Sequence, residues 1–471
     1  MSGGVRAPRI AILAHVGNGN LGDEAIVAAV RQNLQRLCPT AELYGITARP
    51  ADTRLRHGIP AYPVRPGRVQ DGMAHAHDET REPAHGSSRS TLVQALRRAV
   101  RRVPGAVALV RVVRGVQRLA VAAVREPRFL ASCFRLLRGT DLLIVAGSAQ
   151  LMDYWGGPWA FPFTLLRWTL LARLRGTKVA FVSIGAGPLE TRTGKALIRR
   201  CLTWADYRSY RENSSRDLIR SLHVPGEHPV VPDLVFSLNW QRGEPPRERR
   251  RVVVGINPMP VLDGFYWPEE DRRAYERYLD TLASFADWLV QREYVVVFFP
   301  TQIRADPRTI REVRARMQRT VGGSGERGGV LLDERPIDSL EALFADIGRM
   351  DVVVATRYHG VLFPLLLGKP VLGVAYQPKT RDLMRLMGQE RYTIDFGQLE
   401  LATLQERFLA LERGSEAFRR GVAPRLAEAR QALDRQYDRL LALVGVSSTQ
   451  SATLRPMLSD AVAAGDGAFS T

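Results

Sequence analysis

Short apolar runs alternate with segments of helical spacing in two successive halves of the chain, and this alternation constrains the fold more than any other feature. Residues 8–16 read as a buried strand, residues 25–37 carry apolar side chains at helical spacing, and residues 42–47 read as a second strand. Further strands are expected at residues 141–147, 179–184 and 207–210. A strand–helix–strand order of this kind is typical of a parallel sheet covered by helices.

The second half repeats the plan after a polar, proline-containing stretch at residues 241–250, which we interpret as a linker. Its expected strands are residues 252–257, 295–300, 330–332, 352–356 and 370–375, with helices near 270–291, 308–318, 338–348 and 360–367. We therefore expect two α/β domains, at residues 1–240 and 251–445, followed by a frayed tail at 446–471. In such folds, ligands bind at the carboxyl ends of the strands.

The first domain is expected to carry a basic insertion at about residues 64–139. Its first part, residues 64–90, is polar and reads as a flexible surface segment, whereas residues 91–139 hold eleven arginines and one acid, Glu126. The whole chain has a formal net charge of +19 but only four lysines. This arginine excess is explained equally well by codon usage or by an anion-binding surface.

Part of the insertion has the pattern of an interfacial helix. Leu92, Leu96, Val100 and Val103 recur every three or four residues, and arginines fall between them. This pattern predicts a peripheral contact between residues 91–139 and an anionic membrane. The alternative is that the same apolar face packs on the first domain. The sequence contains no nucleic-acid motif with interleaved aromatic residues, so we expect no nucleic-acid partner.

Cysteine usage and hydropathy favour a cytoplasmic protein. The three cysteines, Cys38, Cys133 and Cys201, have neither a zinc spacing nor the pattern of a disulfide framework. No secretory signal is recognisable, and no stretch of about 18 uncharged apolar residues is present. The eight histidines form no H-E-x-x-H motif, and the sequence has no G-x-S-x-G motif, so neither a metal site nor hydrolase chemistry is expected.

The glycine-rich turn at residues 17–22 formally matches the dinucleotide fingerprint G-x-G-x-x-G. We reject that interpretation because Asp23 and Glu24 follow at once, where two carboxylates would repel a pyrophosphate at the helix N-terminus. Two interpretations remain. The segment is either a tight turn with an acidic helix start, or a loop that presents a carboxylate to a sugar hydroxyl.

Candidate anion-binding residues occur mainly in the second half. Arg357 and His359 follow an expected strand and open a helix, where a guanidinium, an imidazole and backbone amides can bind a dianion together. Alternatively, Arg357 pairs with a carboxylate and His359 caps the helix. Lys379 follows another expected strand and faces either the cleft or a structural partner. Arg211, with Glu212 beside it, has by itself the pattern of a surface ion pair.

Six short segments, in order and spacing over residues 9–380, resemble the polysaccharide pyruvyl transferase family: Gly17–Glu24, Ser183–Pro188, Tyr210–Ser215, Val231–Phe236, Arg357–Gly360 and Gly368–Lys379. The resemblance implies two Rossmann-like domains facing a cleft, similar to the GT-B glycosyltransferases. It implies phosphoenolpyruvate as donor and co-substrate, a sugar or lipid-linked saccharide as acceptor, and no further cofactor.

By motif match, the resemblance implies a role in donor binding for Arg211, Arg357 and His359, with Lys379 as a further candidate. On the acceptor side it implies the loop containing Gly19, Asn20, Gly22, Asp23 and Glu24. His359 is suited to phosphate binding or acid catalysis, and Asp23 or Asp153 to the role of general base. The chain departs from the family where many members have a glycine run and this sequence reads Gly147 to Asp153. That departure leaves the acceptor sugar open.

Two other functions also fit parts of the sequence. One is a nucleotide-sugar glycosyltransferase of similar fold, which would need a nucleotide pocket in the second domain. The other is a non-catalytic protein that binds membrane or nucleic acid through its arginine-rich segment.

Overall fold

A computed structural model of the 471-residue chain describes residues 6–66, 126–240, 251–317, 330–331 and 337–446. The chain divides into two compact units, one formed by residues 1–64 with 139–471 and the other by residues 65–138. Four predicted features lie wholly or largely outside the described residues: the polar segment 64–90, the amphipathic part of 91–139, the linker 241–250 and the tail 446–471. In the smaller unit, residues 126–136 are helical.

The larger unit contains two parallel sheets, and the first forms the core of an N-terminal lobe. Its strand order is β3-β2-β1-β4-β5-β6. The strands are β1 (Arg9–Leu13), β2 (Glu42–Thr47), β3 (Ala61–Pro63), β4 (Leu142–Ala146), β5 (Lys178–Ile184) and β6 (Tyr207–Tyr210). The helices are α1 (Leu21–Leu37), α2 (Pro50–His57), α3 (Phe161–Leu174), α4 (Arg192–Trp204) and α5 (Asn213–Arg220), and a 3₁₀ turn follows at Leu234–Ser237.

The second sheet forms the core of a C-terminal lobe, with strand order β12-β11-β10-β7-β8-β9. Its strands are β7 (Val253–Asn257), β8 (Val295–Phe298), β9 (Val330–Leu331), β10 (Val352–Ala355), β11 (Val371–Ala375) and β12 (Thr393–Asp395). The helices are α6 (Arg272–Gln291), α7 (Asp306–Arg316), α8 (Leu340–Arg349), α9 (Tyr358–Leu366), α10 (Pro378–Leu386), α11 (Leu401–Arg413) and α12 (Ser415–Ala442). Two 3₁₀ turns flank β12, at Glu390–Tyr392 and Phe396–Gln398.

These two sheets confirm the predicted α/β class with two parallel sheets. The first helix begins earlier than expected, at Leu21 instead of Ala25, because the Asn20 side chain caps it by accepting a hydrogen bond of 3.1 Å from the Gly22 amide. The short edge strands β3 and β12 were not predicted. Each has only three residues, too few for a period-2 pattern to show.

The last helix, α12, returns to the N-terminal lobe, although its residues were expected to belong to the second domain. Its Gln436 donates a hydrogen bond of 3.0 Å to the Ser183 hydroxyl of β5 and accepts one of 2.5 Å from the Ser209 hydroxyl of β6. Tyr437 of the same helix is fully buried, with its hydroxyl 3.3 Å from that of Ser237. The chain therefore connects its two lobes a second time through this helix.

The two lobes also meet directly at the loop before α1. The Leu21 amide donates to the Thr301 carbonyl at 2.9 Å, and the Ile303 amide donates to the Gly19 carbonyl at 2.9 Å. The Gln302 side chain adds a hydrogen bond of 3.1 Å to the Asn18 carbonyl. These contacts bring the carboxyl ends of the two sheets to a common cleft.

Within the described ranges, no helix combines the length and apolar character needed to cross a bilayer. The same residues contain no group of three or more His, Cys, Asp or Glu side chains arranged to hold a metal ion.

Candidate functional site

Four buried side chains, Asp23, Arg211, Asp233 and His359, lie together where the carboxyl ends of the two sheets meet, and we call them the central cluster. Asp23 is in the first turn of α1, and Arg211 directly follows β6. Asp233 caps the 3₁₀ turn that follows α5, and His359 is in the first turn of α9. Each lobe contributes to the cluster.

Arg211 is the buried cation of the central cluster, since only 3% of its side chain is exposed. Its Nε donates to the Glu212 carboxylate at 2.6 Å, and its Nη1 lies 3.4 Å from Oδ2 of Asp233. The guanidinium lies over the Tyr358 ring, 4.5 Å from the centroid. A β-carbon at Gly185 would come within 2.8 Å of Nη2, so glycine leaves room for the guanidinium. Arg211 is therefore a fixed internal charge and not the surface ion pair that its sequence pattern indicates.

His359 presents an unfilled ring nitrogen to the central cluster. Its Nε2 lies 3.9 Å from Oδ2 of Asp233 and, among the residues that the structure describes, has no hydrogen-bond partner. Burial lowers the pKa of His359 well below its ordinary value, and the positive charges of Arg211, Lys379 and Arg357 lower it further. The imidazole is therefore neutral at neutral pH and lies in a positive field.

Asp23 is the titratable acid of the central cluster. Burial raises its pKa to about 7, while a hydrogen bond with the Ser148 side chain lowers it and the neighbouring Glu24 raises it again. Its carboxylate also accepts a hydrogen bond of 2.9 Å from the Asn20 amide group. Asp23 thus exchanges its proton in the range where a general base or acid is most effective.

Arg357 lies in the same region but is paired with a carboxylate. Its Nε and Nη2 donate to Oδ1 of Asp306 at 2.8 and 2.6 Å, and its backbone amide donates to Asn257 at 3.3 Å. Both interpretations of the Arg357 motif are therefore partly realised, because the arginine has a carboxylate partner and still contributes to the field at His359. Lys379 places its Nζ 5.0 Å from the centroid of the Tyr376 ring and also acts electrostatically on His359.

Asp153 lies outside the central cluster. Its carboxylate accepts hydrogen bonds of 2.8 Å from the backbone amides of Glu190 and Thr191, and a third from the Thr191 hydroxyl. Burial acts to raise the pKa of Asp153, but these hydrogen bonds outweigh it and hold the pKa below its ordinary value. In this arrangement the side chain fixes a turn, so the structure favours Asp23 over Asp153 as the candidate base.

The predicted acceptor-side loop has mainly structural contacts. Gly19 and Asn20 take part in the contact between the lobes, and Gly22 packs on the His359 ring. The Glu24 carboxylate accepts from the Gly17 amide at 2.9 Å and lies 2.7 Å from Nε2 of the buried His57. Within this loop, only Asp23 belongs to the central cluster.

Several residues of the site were not predicted as site residues, namely Asn257, Asp233, Asp306, His57 and Ser148. Asp233 lies in the V-P-D-L-V-F segment that carries part of the family resemblance, so its position was available from the sequence but its role was not. Asp306 opens a helix in a loop with no motif, and only the fold brings its carboxylate to Arg357.

The central cluster can bind a small anion and exchange one proton. Three cations act on a buried, neutral imidazole whose Nε2 is free of partners within the described part of the chain. A dianion at that nitrogen would offset the positive field and accept a hydrogen bond from the ring N–H. Asp23, on the opposite lobe, can then serve a second group that loses a proton.

Residues 20–378 match the sequence pattern of the family described as polysaccharide pyruvyl transferase. No curated protein is similar enough in sequence to match the chain.

Solved structures of similar fold include an S. aureus protein, MnaA, solved with UDP, which is 10% identical with a TM-score of 0.50 over 94% of this chain and 98% of that one. A UDP-N-acetylglucosamine 2-epimerase is 11% identical with a TM-score of 0.50, over 93% and 97% of the two chains. At such identities the likeness concerns the fold alone. It confirms the predicted arrangement of two Rossmann-like domains of the GT-B kind.

Proposed function

Because the chain belongs to the polysaccharide pyruvyl transferase family, we propose that it transfers the enolpyruvyl group of phosphoenolpyruvate to a sugar or polysaccharide precursor and closes a pyruvyl ketal. The observation that carries this proposal is that Nε2 of the buried His359 has no hydrogen-bond partner among the described residues and lies near three cations. Phosphoenolpyruvate has a phosphate and a carboxylate close together, and such a field is suited to bind that pair of anions.

In the proposed reaction the donor is first protonated at its methylene carbon, which makes C2 electrophilic. A sugar hydroxyl adds to C2, the C2–O bond to phosphate breaks, and a second hydroxyl of the same sugar closes the ketal. The two hydroxyl groups lose two protons in total. One of these protons replaces the proton that converts the methylene carbon into a methyl group, and the other leaves on the phosphate.

In this proposal His359 acts on the leaving phosphate and Asp23 acts on the attacking hydroxyl. Bound phosphate would offset the charges of Arg211, Lys379 and Arg357 that lower the pKa of His359 beyond the effect of burial, so the imidazole would gain a proton as donor binds. It would then stabilise the leaving phosphate as an acid. Asp23, whose pKa burial raises to about 7, would take a proton from the attacking hydroxyl.

Transfer from a nucleotide-sugar is the competing function, since a protein of similar fold was solved with UDP. The central cluster supports the smaller donor, because three cations, Arg211, Lys379 and Arg357, act on the buried His359 imidazole and are suited to a phosphate with a neighbouring carboxylate. A nucleotide-sugar would also need a nucleotide pocket, for which the described residues of the C-terminal lobe supply no motif.

Mass spectrometry tests the proposal. The purified protein is incubated with phosphoenolpyruvate and a panel of lipid-linked sugars, and parallel reactions contain UDP-sugars instead. We expect a product heavier by one pyruvyl ketal and one phosphate released per product, both lost in His359→Asn. Sugar transfer from a UDP-sugar, without ketal formation from phosphoenolpyruvate, would contradict the proposal.

A further inference from the structure

Four aromatic side chains connect the two lobes beside the central cluster. Tyr154 and Trp155 come from the loop after β4, Trp267 from the loop after β7, and Tyr376 from the end of β11. The Trp155 and Trp267 centroids are 5.7 Å apart, those of Tyr154 and Trp267 6.1 Å, and those of Trp267 and Tyr376 5.6 Å. We call these four residues the aromatic bridge.

The rings of the aromatic bridge meet edge to face and not as a closed stack. Their planes are inclined by 52–87° to one another, so no two of these rings are stacked face to face. All four residues are half-buried, so each is held by the protein and also reaches solvent. Half-buried aromatic faces of this kind are suited to take up the apolar face of a ligand.

Buried carboxylates hold both loops of the aromatic bridge in place. Oδ1 of Asp263 accepts hydrogen bonds from the backbone amides of Phe265, Tyr266 and Trp267, at 3.3, 2.8 and 3.3 Å. In the other lobe, Asp153, directly before Tyr154, is fixed by its hydrogen bonds with residues 190–191. The rings are therefore positioned before any ligand arrives, which lowers the entropy cost of binding.

The aromatic bridge begins at the candidate donor residues. Burial acts to lower the pKa of Arg357, whereas Asp306 and then the Tyr376 phenol raise it, so that phenol lies within electrostatic reach of the guanidinium. Lys379 lies 5.0 Å from the centroid of the same ring. A ligand on the bridge would thus be next to the anion site and outside it.

The charges at the other end of the aromatic bridge are negative. Burial raises the pKa of Tyr154, and the carboxylates of Glu269 and Glu190 raise it further. Both glutamates are exposed at the surface. Carboxylates beside an aromatic face accept hydrogen bonds from hydroxyl groups and repel phosphates, so this end favours a neutral polyol over a nucleotide.

We propose that the aromatic bridge is the subsite for the acceptor saccharide, with the apolar face of a sugar ring against the Trp267 ring. This inference rests on the proposed function for the order of the two subsites, donor inside and acceptor outside. It gives Asp153 a positioning role, since that carboxylate holds the loop that carries Tyr154 and Trp155.

The test measures saccharide binding without phosphoenolpyruvate, so that its outcome does not depend on turnover. Methyl glycosides of the common hexoses and N-acetylhexosamines are titrated at millimolar concentrations, with tryptophan fluorescence and saturation-transfer difference NMR as readouts. UDP is the nucleotide probe. The variants are Trp267→Ala and Trp267→Leu, the second of which keeps apolar bulk in the loop without a ring. Trp159→Ala is the matched control, because it removes an indole that is 69% exposed and is not part of the bridge.

We expect at least one glycoside to bind the wild-type protein and Trp159→Ala equally, and to bind both Trp267 variants about tenfold more weakly. Phosphoenolpyruvate affinity should stay unchanged in all three variants, which also reports that they are folded. The proposal is overturned if no glycoside binds the wild type, if Trp267→Leu retains wild-type saccharide affinity, or if UDP binds the bridge in place of the sugars. Failure of pyruvyl transfer with intact saccharide binding would instead count against the proposed function alone.

Discussion

Gly22 of the N-terminal lobe lies directly against the imidazole of His359 in the C-terminal lobe. A β-carbon at residue 22 would overlap the His359 ring, and its nearest neighbour would be Nδ1. The backbone of Gly22 is helical, so the absence of a side chain here serves the contact and not an unusual backbone conformation. The position of the candidate acid therefore depends on a helix in the other lobe.

We predict that Gly22→Ala weakens phosphoenolpyruvate binding by roughly tenfold or more, because the added methyl group must displace the imidazole from the central cluster. Isothermal titration calorimetry measures the affinity. Gly348→Ala is the control, since that helical glycine has open space where its β-carbon would be. The control should bind normally and gain about 0.5–1 kcal/mol of stability. Equal donor affinity in Gly22→Ala and wild type would show that His359 has no part in donor binding.

Asp23 should make the stability of the protein depend on pH. Its folded pKa of about 7 lies above the ordinary 3.8, so the folded state binds its proton more tightly than the unfolded state. The stability associated with the neutral carboxyl is fully present below about pH 4 and is lost as pH rises to about 7, a loss of roughly 4 kcal/mol. Relative to wild type, Asp23→Asn should gain in melting temperature over this range and level off above it. A difference between the two proteins that is constant from pH 4 to pH 8 would contradict the raised pKa.

Donor binding should be accompanied by proton uptake at His359. Burial and three nearby cations keep the free imidazole neutral at pH 7, and a bound dianion offsets those cations. Calorimetric enthalpies measured in buffers of different ionisation enthalpy should therefore differ, by an amount that corresponds to a fraction of one proton up to one proton. His359→Asn should remove this dependence on buffer and Asp23→Asn should keep most of it. The assignment fails if the uptake persists in His359→Asn.

Arg357→Ala should weaken phosphoenolpyruvate binding by about 1.5–3 kcal/mol, ten- to a hundredfold, through loss of a charge-assisted contact. It also leaves the fully buried Asp306 carboxylate without its cation, which should cost about 3–5 kcal/mol of stability. The double variant Arg357→Ala/Asp306→Asn separates the two effects. It should regain stability in urea unfolding without regaining donor affinity, and recovery of both would reduce Arg357 to a structural ion pair.

The basic segment 91–139 should bind anionic membranes. It contains eleven arginines and only one acidic residue. Each arginine near an anionic leaflet contributes about 1 kcal/mol of binding free energy. Replacement of Arg97, Arg98, Arg101 and Arg102 by glutamine should release the protein from phosphatidylserine vesicles in co-sedimentation at low salt. Neutral phosphatidylcholine vesicles are the control. No binding by the wild type, or unchanged binding by the variant, would contradict the expectation.

The sheets were predictable because each strand is short, apolar and followed by a turn and a helical pattern. The hydrophobic periodicity and the composition of a strand are local properties of the sequence. They identify a strand such as Val352–Ala355 without knowledge of its partners. The return of α12 was not predictable in this way. Its contact depends on Gln436 meeting two serines more than 220 positions earlier in the chain, and nothing in the spacing of α12 specifies that partner.

The candidate site was predictable only in part, for a related reason. The positions of Arg211, His359 and Asp23 follow from motifs at strand ends, where side chains converge on one edge. Their roles depend on partners that the motifs do not contain, such as Asp306 for Arg357 and the turn at residues 190–191 for Asp153. A carboxylate in a sequence motif looks the same whether it exchanges protons or holds a loop.

The hydrogen bonds of Gln436 also have a mechanical consequence. A lobe attached to its neighbour by one covalent crossing can swing and twist about that single point. Here the last helix provides a second attachment, which is held by the buried side chains of Gln436 and Tyr437. Separation of the two lobes would therefore require the hydrogen bonds of Gln436 to break or the chain before α12 to bend, so this helix limits how far the imidazole in one lobe can move from the carboxyl in the other.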